Sequence, residues 1–393
     1  MRGGKTLTYI ISFSFSLMLL CLAEKTTRRS RYVVSLLALM IPCFLAAFRA
    51  DTVGTDVRVY LIPMFENAKS AHGITDFFGR SWVQVYTRRS VASIEIGFSL
   101  LVYIVTKLFF SLYALQFFIQ VLAIVPVWRA LDNLSNFLEK RIVVVGMMVY
   151  YAMCYNYSLN LMRQYIAIGF LVLSFSYLIM ENRKNYLIYQ LIAFSFHYAA
   201  IAGIVVYVIF EYITGKIIPF KTSGNDYRNS KNRSIYVIIA GTLAIIALPV
   251  ILNAIVNRFG DVKYIGYING AIGLSFNQIV LRVPFFIVFA MCYKRLRNIY
   301  GNKWLVMPTF IVLIIIVSQL VNSDGSASSS GAYRIVLYFS ALLILIIPLM
   351  YVALSSKKNL LYRFLLVGYL LIWWLYYFGF AEECTIPYLS IWS

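Results

Sequence analysis

Apolar runs of membrane length recur from one end of this sequence to the other, and that repetition limits the fold more than any motif does. The runs fall at about 7–22, 32–48, 93–128, 142–157, 163–180, 186–213, 234–256, 277–293, 304–321, 334–354 and 360–379. A helix crossing a bilayer needs roughly 20 apolar residues, whereas an outer-membrane barrel is written in alternating segments of about ten. Inside hydrocarbon every backbone N–H and C=O must be satisfied within the spanning element, so runs of this kind are helices. Composition agrees. Charged residues make up 13% of the 393, about half the ~25% of a soluble domain, and mean hydropathy is +0.78. The expected fold class is therefore all-α, a polytopic integral membrane protein in one transmembrane domain over 1–393.

Two runs are too long for one ordinary span. The 93–128 run reads either as one tilted helix with a surface piece or as a hairpin, and 186–213 is long enough for two short helices meeting at His197. Charge discriminates better than length, because cytoplasmic loops are enriched in Lys and Arg. The net charge of +20 is scattered through short loops, which is topology information and not a nucleic-acid surface. Let the 23–31 loop be inside, 93–128 cross once, and 186–213 go up and back. The basic loops 129–141, 181–185, 214–233, 294–303 and 355–359 then all fall inside. This gives about twelve crossings with both termini outside. The segment Leu7–Leu22 lacks a small-residue cleavage site after it and reads as a retained first helix.

On this topology the unusual polar residues collect on the outer face. The stretch Asn160–Ala200 places Arg163 and Gln164 at the mouth of one apolar run and His197 inside the next. Singly, such an arginine more often snorkels and such a histidine more often packs. Together they mark a site, since ionisable groups at membrane depth face a cavity or a partner. The large outer loop 49–92 sets Arg49, Asp51, Asp56 and Arg58 around Gly54, a residue suited to a tight turn. His72 lies in the same loop with no evident partner, and Glu95 opens the following apolar run, where it can also start a helix. The small-residue loop 322–333 reads as a flexible linker or lid and delivers Tyr333 and Arg334 to the next span. Of the five cysteines, Cys21, Cys43, Cys154, Cys292 and Cys384, none stands in a C-x-x-C or His/Cys ligand pattern. No metal, cofactor or disulfide framework is expected.

These residues form an ordered series: R-x-x-x-V-G-T-D at Arg49–Asp56, E-x-G-F at Glu95–Phe98, R-Q-x-x-A at Arg163–Ala167, F-H-x-A at Phe196–Ala199, Y-R at Tyr333–Arg334 and P-Y at Pro387–Tyr388. In order and spacing the series resembles the EpsG family of Wzy-like polysaccharide polymerases over most of the chain. Ile96 stands where that family often has proline. The resemblance implies a GT-C-like helical architecture with an outward-facing cavity in a multi-pass protein of the bacterial cytoplasmic membrane. It further implies a glycosyltransferase that joins undecaprenyl-diphosphate-linked oligosaccharide repeats into capsule, exopolysaccharide or O-antigen chains. Membrane lipid and a chain-length regulator are the other expected partners, and no nucleic acid is.

Such a transfer needs the departing diphosphate stabilised and the acceptor hydroxyl deprotonated. Without a metal, guanidinium forks suit the diphosphate, so Arg163 and Arg334 are the expected clamp with Arg49 assisting. Gln164, Arg58, Asp51 and Tyr333 are expected at the substrate. The base must be a carboxylate or an imidazole: Asp56, Glu95 and His197 are candidates, and their ranking stays open. Tyr60, Trp82 and Tyr86 are available to stack on sugars. Two other classes compete. A flippase or transporter of lipid-linked saccharides would carry internal repeats or paired broken helices, which this sequence lacks. A membrane O-acyltransferase would call for a second histidine or an acidic partner on the inner side.

Overall fold

A computed structural model describes residues 2–84, 87–216, 226–259, 276–301, 306–318, 331–354, 360–379, 385 and 388–390. Chain contacts divide it into two compact units, Met1–Ala200 with Gly368–Ser393, and Ile201–Val367.

The first unit is built from α1 (Arg2–Ala23), α2 (Arg28–Ala47), α3 (Ile62–Ser70), α4 (Ile74–Gly79), the strands β1 (Ser81–Gln84) and β2 (Thr87–Ser90), α5 (Ile96–Phe109), α6 (Leu112–Leu138), α7 (Val143–Met153), α8 (Tyr155–Asn160), α9 (Met162–Ile179) and α10 (Arg183–Phe196). Helices α2, α6, α9 and α10 pack in sequence, each against the next, and α1 closes on α2 and α7. Lipid supplies no hydrophobic push between helices, so van der Waals fit and polar pairing must hold them. One such pairing begins with Pro42 inside α2. Proline has no N–H for the carbonyl four residues back. That carbonyl, on Ala38, instead accepts from the Ser16 hydroxyl at 2.8 Å, and Ser16 also meets the Tyr151 hydroxyl at 2.7 Å. Around it Phe13 stacks on Tyr151 at 4.8 Å, and the Trp374 indole donates to Asn156 at 2.9 Å. The opposite surfaces are apolar and exposed: Leu187, Ile188, Leu191 and Phe194 form one bare stripe along α10. A stripe of that kind is stable only against lipid or another apolar surface.

Several expected boundaries move. The 93–128 run is two helices, broken where Phe110 turns left-handed (φ 50) and the Ser111 hydroxyl caps α6 by accepting from the Ala114 N–H. Helix α6 then continues past the expected inner loop at 129, because Ala130, Leu131 and Leu134 keep its buried face going. The 186–213 run breaks at His197, where two short helices were expected to meet, with a 3-10 turn at Tyr198–Ile201. The Gln190 side-chain amide holds that turn by donating to the Ala200 carbonyl. The described residues of the 49–92 segment carry helices and an antiparallel pair of strands, β1–β2, with Ser81 facing Ser90, which adds a small sheet to the expected all-α fold.

The second unit contains α11 (Ala202–Ile213), α12 (Asp226–Phe259), α13 (Phe276–Val280), α14 (Val283–Tyr300), α15 (Val306–Val317), α16 (Gly331–Ser340) and α17 (Leu343–Ala353). Helix α18 (Leu360–Trp374) begins in it and ends in the first. Among the described residues, Arg29–Ala47, Leu112–Leu138, Met162–Ile179 and Ile335–Ala353 are long and apolar enough to cross a membrane, with shorter apolar helices beside them. This is a multi-pass, helical membrane protein.

Candidate active site

Two polar clusters form at opposite ends of the first unit. Helix α9 joins them: Arg163 is its second residue, and Tyr177 and Met180 lie at its far end, about 25 Å away at 1.5 Å per residue. The end nearer Arg163 gathers segments that are distant in sequence. Arg49 is buried at 2% exposure, and its guanidinium donates to the carbonyls of Ala46 (2.7 Å), Val53 (3.2 Å) and Leu159 (3.2 Å). It thus ties the end of α2, the following turn and the α8–α9 junction into one block. The chain terminus reinforces this block: the Ala50 N–H donates to the Leu389 carbonyl at 2.8 Å, and the Tyr388 hydroxyl to the Leu45 carbonyl at 2.9 Å.

Gly54 has φ +92, and a Cβ there would sit 2.6 Å from the Leu159 carbonyl oxygen. Only glycine meets both demands. The close approach lets Asn160 accept from the Thr55 hydroxyl at 3.0 Å and from the Asp56 N–H at 3.1 Å. The V-G-T-D turn is therefore latched onto the residues just before Arg163. Arg58 grips Asp51 with two nitrogens at 3.1 and 3.2 Å. Both side chains are about half exposed, so the pair contributes little, roughly 0–1 kcal/mol.

The Arg163 guanidinium is ion-paired to the Glu95 carboxylate, with side-chain exposures of 16% and 7%. The guanidinium carbon also stands 5.0 Å from the centre of the Tyr60 ring. Glu95 precedes α5 without capping it, so its carboxylate serves Arg163 and not the helix. Two residues on, a Cβ on Gly97 would lie 2.6 Å from Ser195 Oγ and 2.8 Å from the Ser195 carbonyl. The glycine of E-x-G-F thus seats the start of α5 against the end of α10, next to the break at His197. His197 is buried and extended (φ −160, ψ 122). Gln164 is buried beside Arg163. The Trp82 indole donates to the Val59 carbonyl at 3.2 Å and so braces the turn that carries Tyr60.

The His72 backbone N–H donates to Asp76 at 2.8 Å. Arg80 beside it, and then that N–H, hold the Asp76 carboxyl at about 2. Tyr333 and Arg334 head α16 in the second unit, but their side chains lie outside the described residues, as do Tyr86 and the loop at 319–330. Among the described residues no group of three His, Cys, Asp or Glu is placed to hold a metal ion. Asn160, Ser195 and Tyr388 went unassigned in the sequence because each acts through a contact with a remote backbone. Of these, only Tyr388 carried a signal, the P-Y pair.

The geometry joins five of the six sequence motifs within one unit. A family model described as "EpsG family" matches residues 32–390. No curated protein and no solved structure matches the chain.

Proposed function

Since the chain belongs to the EpsG family of Wzy-like polysaccharide polymerases, we propose that it joins oligosaccharide repeats carried on undecaprenyl diphosphate at the outer face of a bacterial cytoplasmic membrane. Capsule, exopolysaccharide or O-antigen chains are the product class. A GT-C-like arrangement of about twelve crossings belongs to the same proposal.

The observation that carries it is the Arg163 guanidinium, ion-paired with the Glu95 carboxylate and over the Tyr60 ring. A carboxylate and a phosphate compete for the same guanidinium fork. When the donor's diphosphate takes Arg163, Glu95 loses its partner and becomes free to accept a proton. The acceptor hydroxyl then gives its proton to Glu95 as its oxygen bonds the anomeric carbon. The anomeric C–O bond breaks, and its electron pair leaves on the diphosphate, where Arg163 meets the developing charge. Tyr60 keeps the guanidinium in place through the exchange. Glu95 thereby leads the three candidate bases, with His197 at the adjoining helix break and Asp56 on the latched turn behind it. Arg49 acts from beneath, as the residue that fixes the turn, because its donors already serve backbone carbonyls.

Reconstitution of the whole chain with lipid-linked repeat unit alone tests this reading. The unaltered protein should yield a ladder of lengths, and Arg163→Ala and Glu95→Gln should leave lipid-linked single repeats. Arg334→Ala joins the set on the strength of its motif. Repeat units that change leaflet without lengthening would defeat the proposal in favour of a transporter.

A further inference from the structure

The other end of the first unit holds a second polar cluster that the proposed reaction does not use. Arg31 near the start of α2 pairs with Asp132 near the end of α6 at 3.3 Å and donates to Asn136 at 2.7 Å. Arg129 reaches the same carboxylate at 3.4 Å, and the Asn136 amide donates to it at 3.2 Å. These side chains line a cavity of about 500 Å³, together with Tyr32, Trp128, Asn133, Tyr177 and Met180. That volume lies within the range of small-ligand sites.

Three features define what would fill it. The charged lining consists of two guanidinium groups and one carboxylate, which leaves a single positive charge. Donors are in surplus: each arginine binds Asp132 through one nitrogen, Nη2 of Arg31 and Nη1 of Arg129. The buried Asn133 amide nitrogen has no acceptor. Asp132 and the Asn136 carbonyl oxygen already accept from these donors. A ligand offering acceptor oxygens and one negative charge completes both counts, which describes a phosphate group with one ionised oxygen. The cavity also includes the half-exposed ring of Tyr32 in its lining. It lies between helix ends whose loops are rich in Lys and Arg, the composition of the cytoplasmic side. Basic hollows between helices on that side suit anionic headgroups.

We propose that the hollow between α2, α6 and α9 lined by Arg31, Arg129 and Asn133 is a binding site for a singly charged phosphate group. Arg129 is the accessible half of the anion clamp and Asp132 tunes its charge. The site lies at the opposite end of α9 from Arg163, so it stands or falls independently of the polymerase reading.

The test measures binding to the purified full-length protein in a neutral detergent. The probes are dihexanoylphosphatidylglycerol, dihexanoylphosphatidylcholine and inorganic phosphate. The expected result is saturable binding of the phosphatidylglycerol over the zwitterionic lipid. Arg129→Gln should weaken that binding about tenfold, the equivalent of one charge-assisted hydrogen bond. Asp132→Asn should tighten it, a gain that no misfolded variant would give. If inorganic phosphate binds as well as the lipid and shows the same response to both substitutions, the site stands and its ligand is the free ion. Equal binding of the zwitterionic lipid, or affinities unmoved by either substitution, would overturn the proposal.

Discussion

Replacing Arg163 with glutamine removes one half of the ion pair beneath the proposed reaction and leaves the other half in place. At side-chain exposures of 16% and 7% for Arg163 and Glu95, the pair lies close to the buried limit. There, loss of one partner costs about 3–5 kcal/mol because the surviving charge is stranded. The remaining exposure of Arg163 argues for the lower end, about 3 kcal/mol, or roughly two orders of magnitude in the folding equilibrium. Glu95→Gln is milder. The guanidinium keeps the Tyr60 ring and an amide oxygen as acceptor, so about 1–2 kcal/mol is expected. The double variant has no stranded charge and should lie near the milder single, giving a coupling of about 2–3 kcal/mol. The assay is the unfolding equilibrium in mixed detergent, with SDS as denaturant and monodispersity checked by size exclusion. All three variants should lose the polymer ladder, including the double variant whose stability recovers. Losses that add to within about 0.5 kcal/mol would mean the two groups do not act together, and the exchange of Glu95 for a phosphate would have no basis.

Three further expectations follow from the same geometry. Arg49→Lys should destabilise the first unit by about 3 kcal/mol, because one ammonium cannot reach carbonyls spread over three segments as the planar fork does; recovery of full stability by lysine would show that charge alone matters there. Gly54→Ala should cost at least the ~1–2 kcal/mol of a left-handed backbone, plus the contact with Leu159, and should abolish polymer through loss of the turn, read by expression level and ladder together. Asp76 titrates at about 2 against an ordinary value of 3.8, so its contribution is fully present above about pH 4 and disappears as pH falls through about 2. Pepsin cleavage within 70–80 should accordingly be slow at about pH 4 and appear near pH 2, and Asp76→Asn should make the segment cleavable at both.

The class of this protein was legible in its sequence because the bilayer imposes its requirement on each segment separately. A run of apolar residues must be helical in hydrocarbon whatever its neighbours do, so α1, α2, α9 and the helix beginning at Arg183 could be placed from local pattern. The break at His197 was legible because the run was too long for one span. The break at Phe110 was not forced by sequence: L-F-F-S-L carries no glycine or proline, and only the cap at Ser111 marks it. The continuation of α6 beyond residue 128 was hidden for the opposite reason, since its polar residues face a cluster of their own while Ala130, Leu131 and Leu134 are buried.

Site residues divide along the same line. That Arg163, Glu95, Gly97 and Gly54 matter could be read from costly or permissive residue types in an ordered series. Which partner each one takes depended on distances between segments about 70 to 110 residues apart, as in Arg163 with Glu95, Thr55 with Asn160 and Arg49 with Leu159. Arg49 is the clearest case. In sequence it is one more arginine of an outer loop, and only burial against three carbonyls makes it a structural tie. Local pattern reports what each segment must become in lipid, whereas the choice between a free cation and a committed one is a property of the neighbours that packing brings to it.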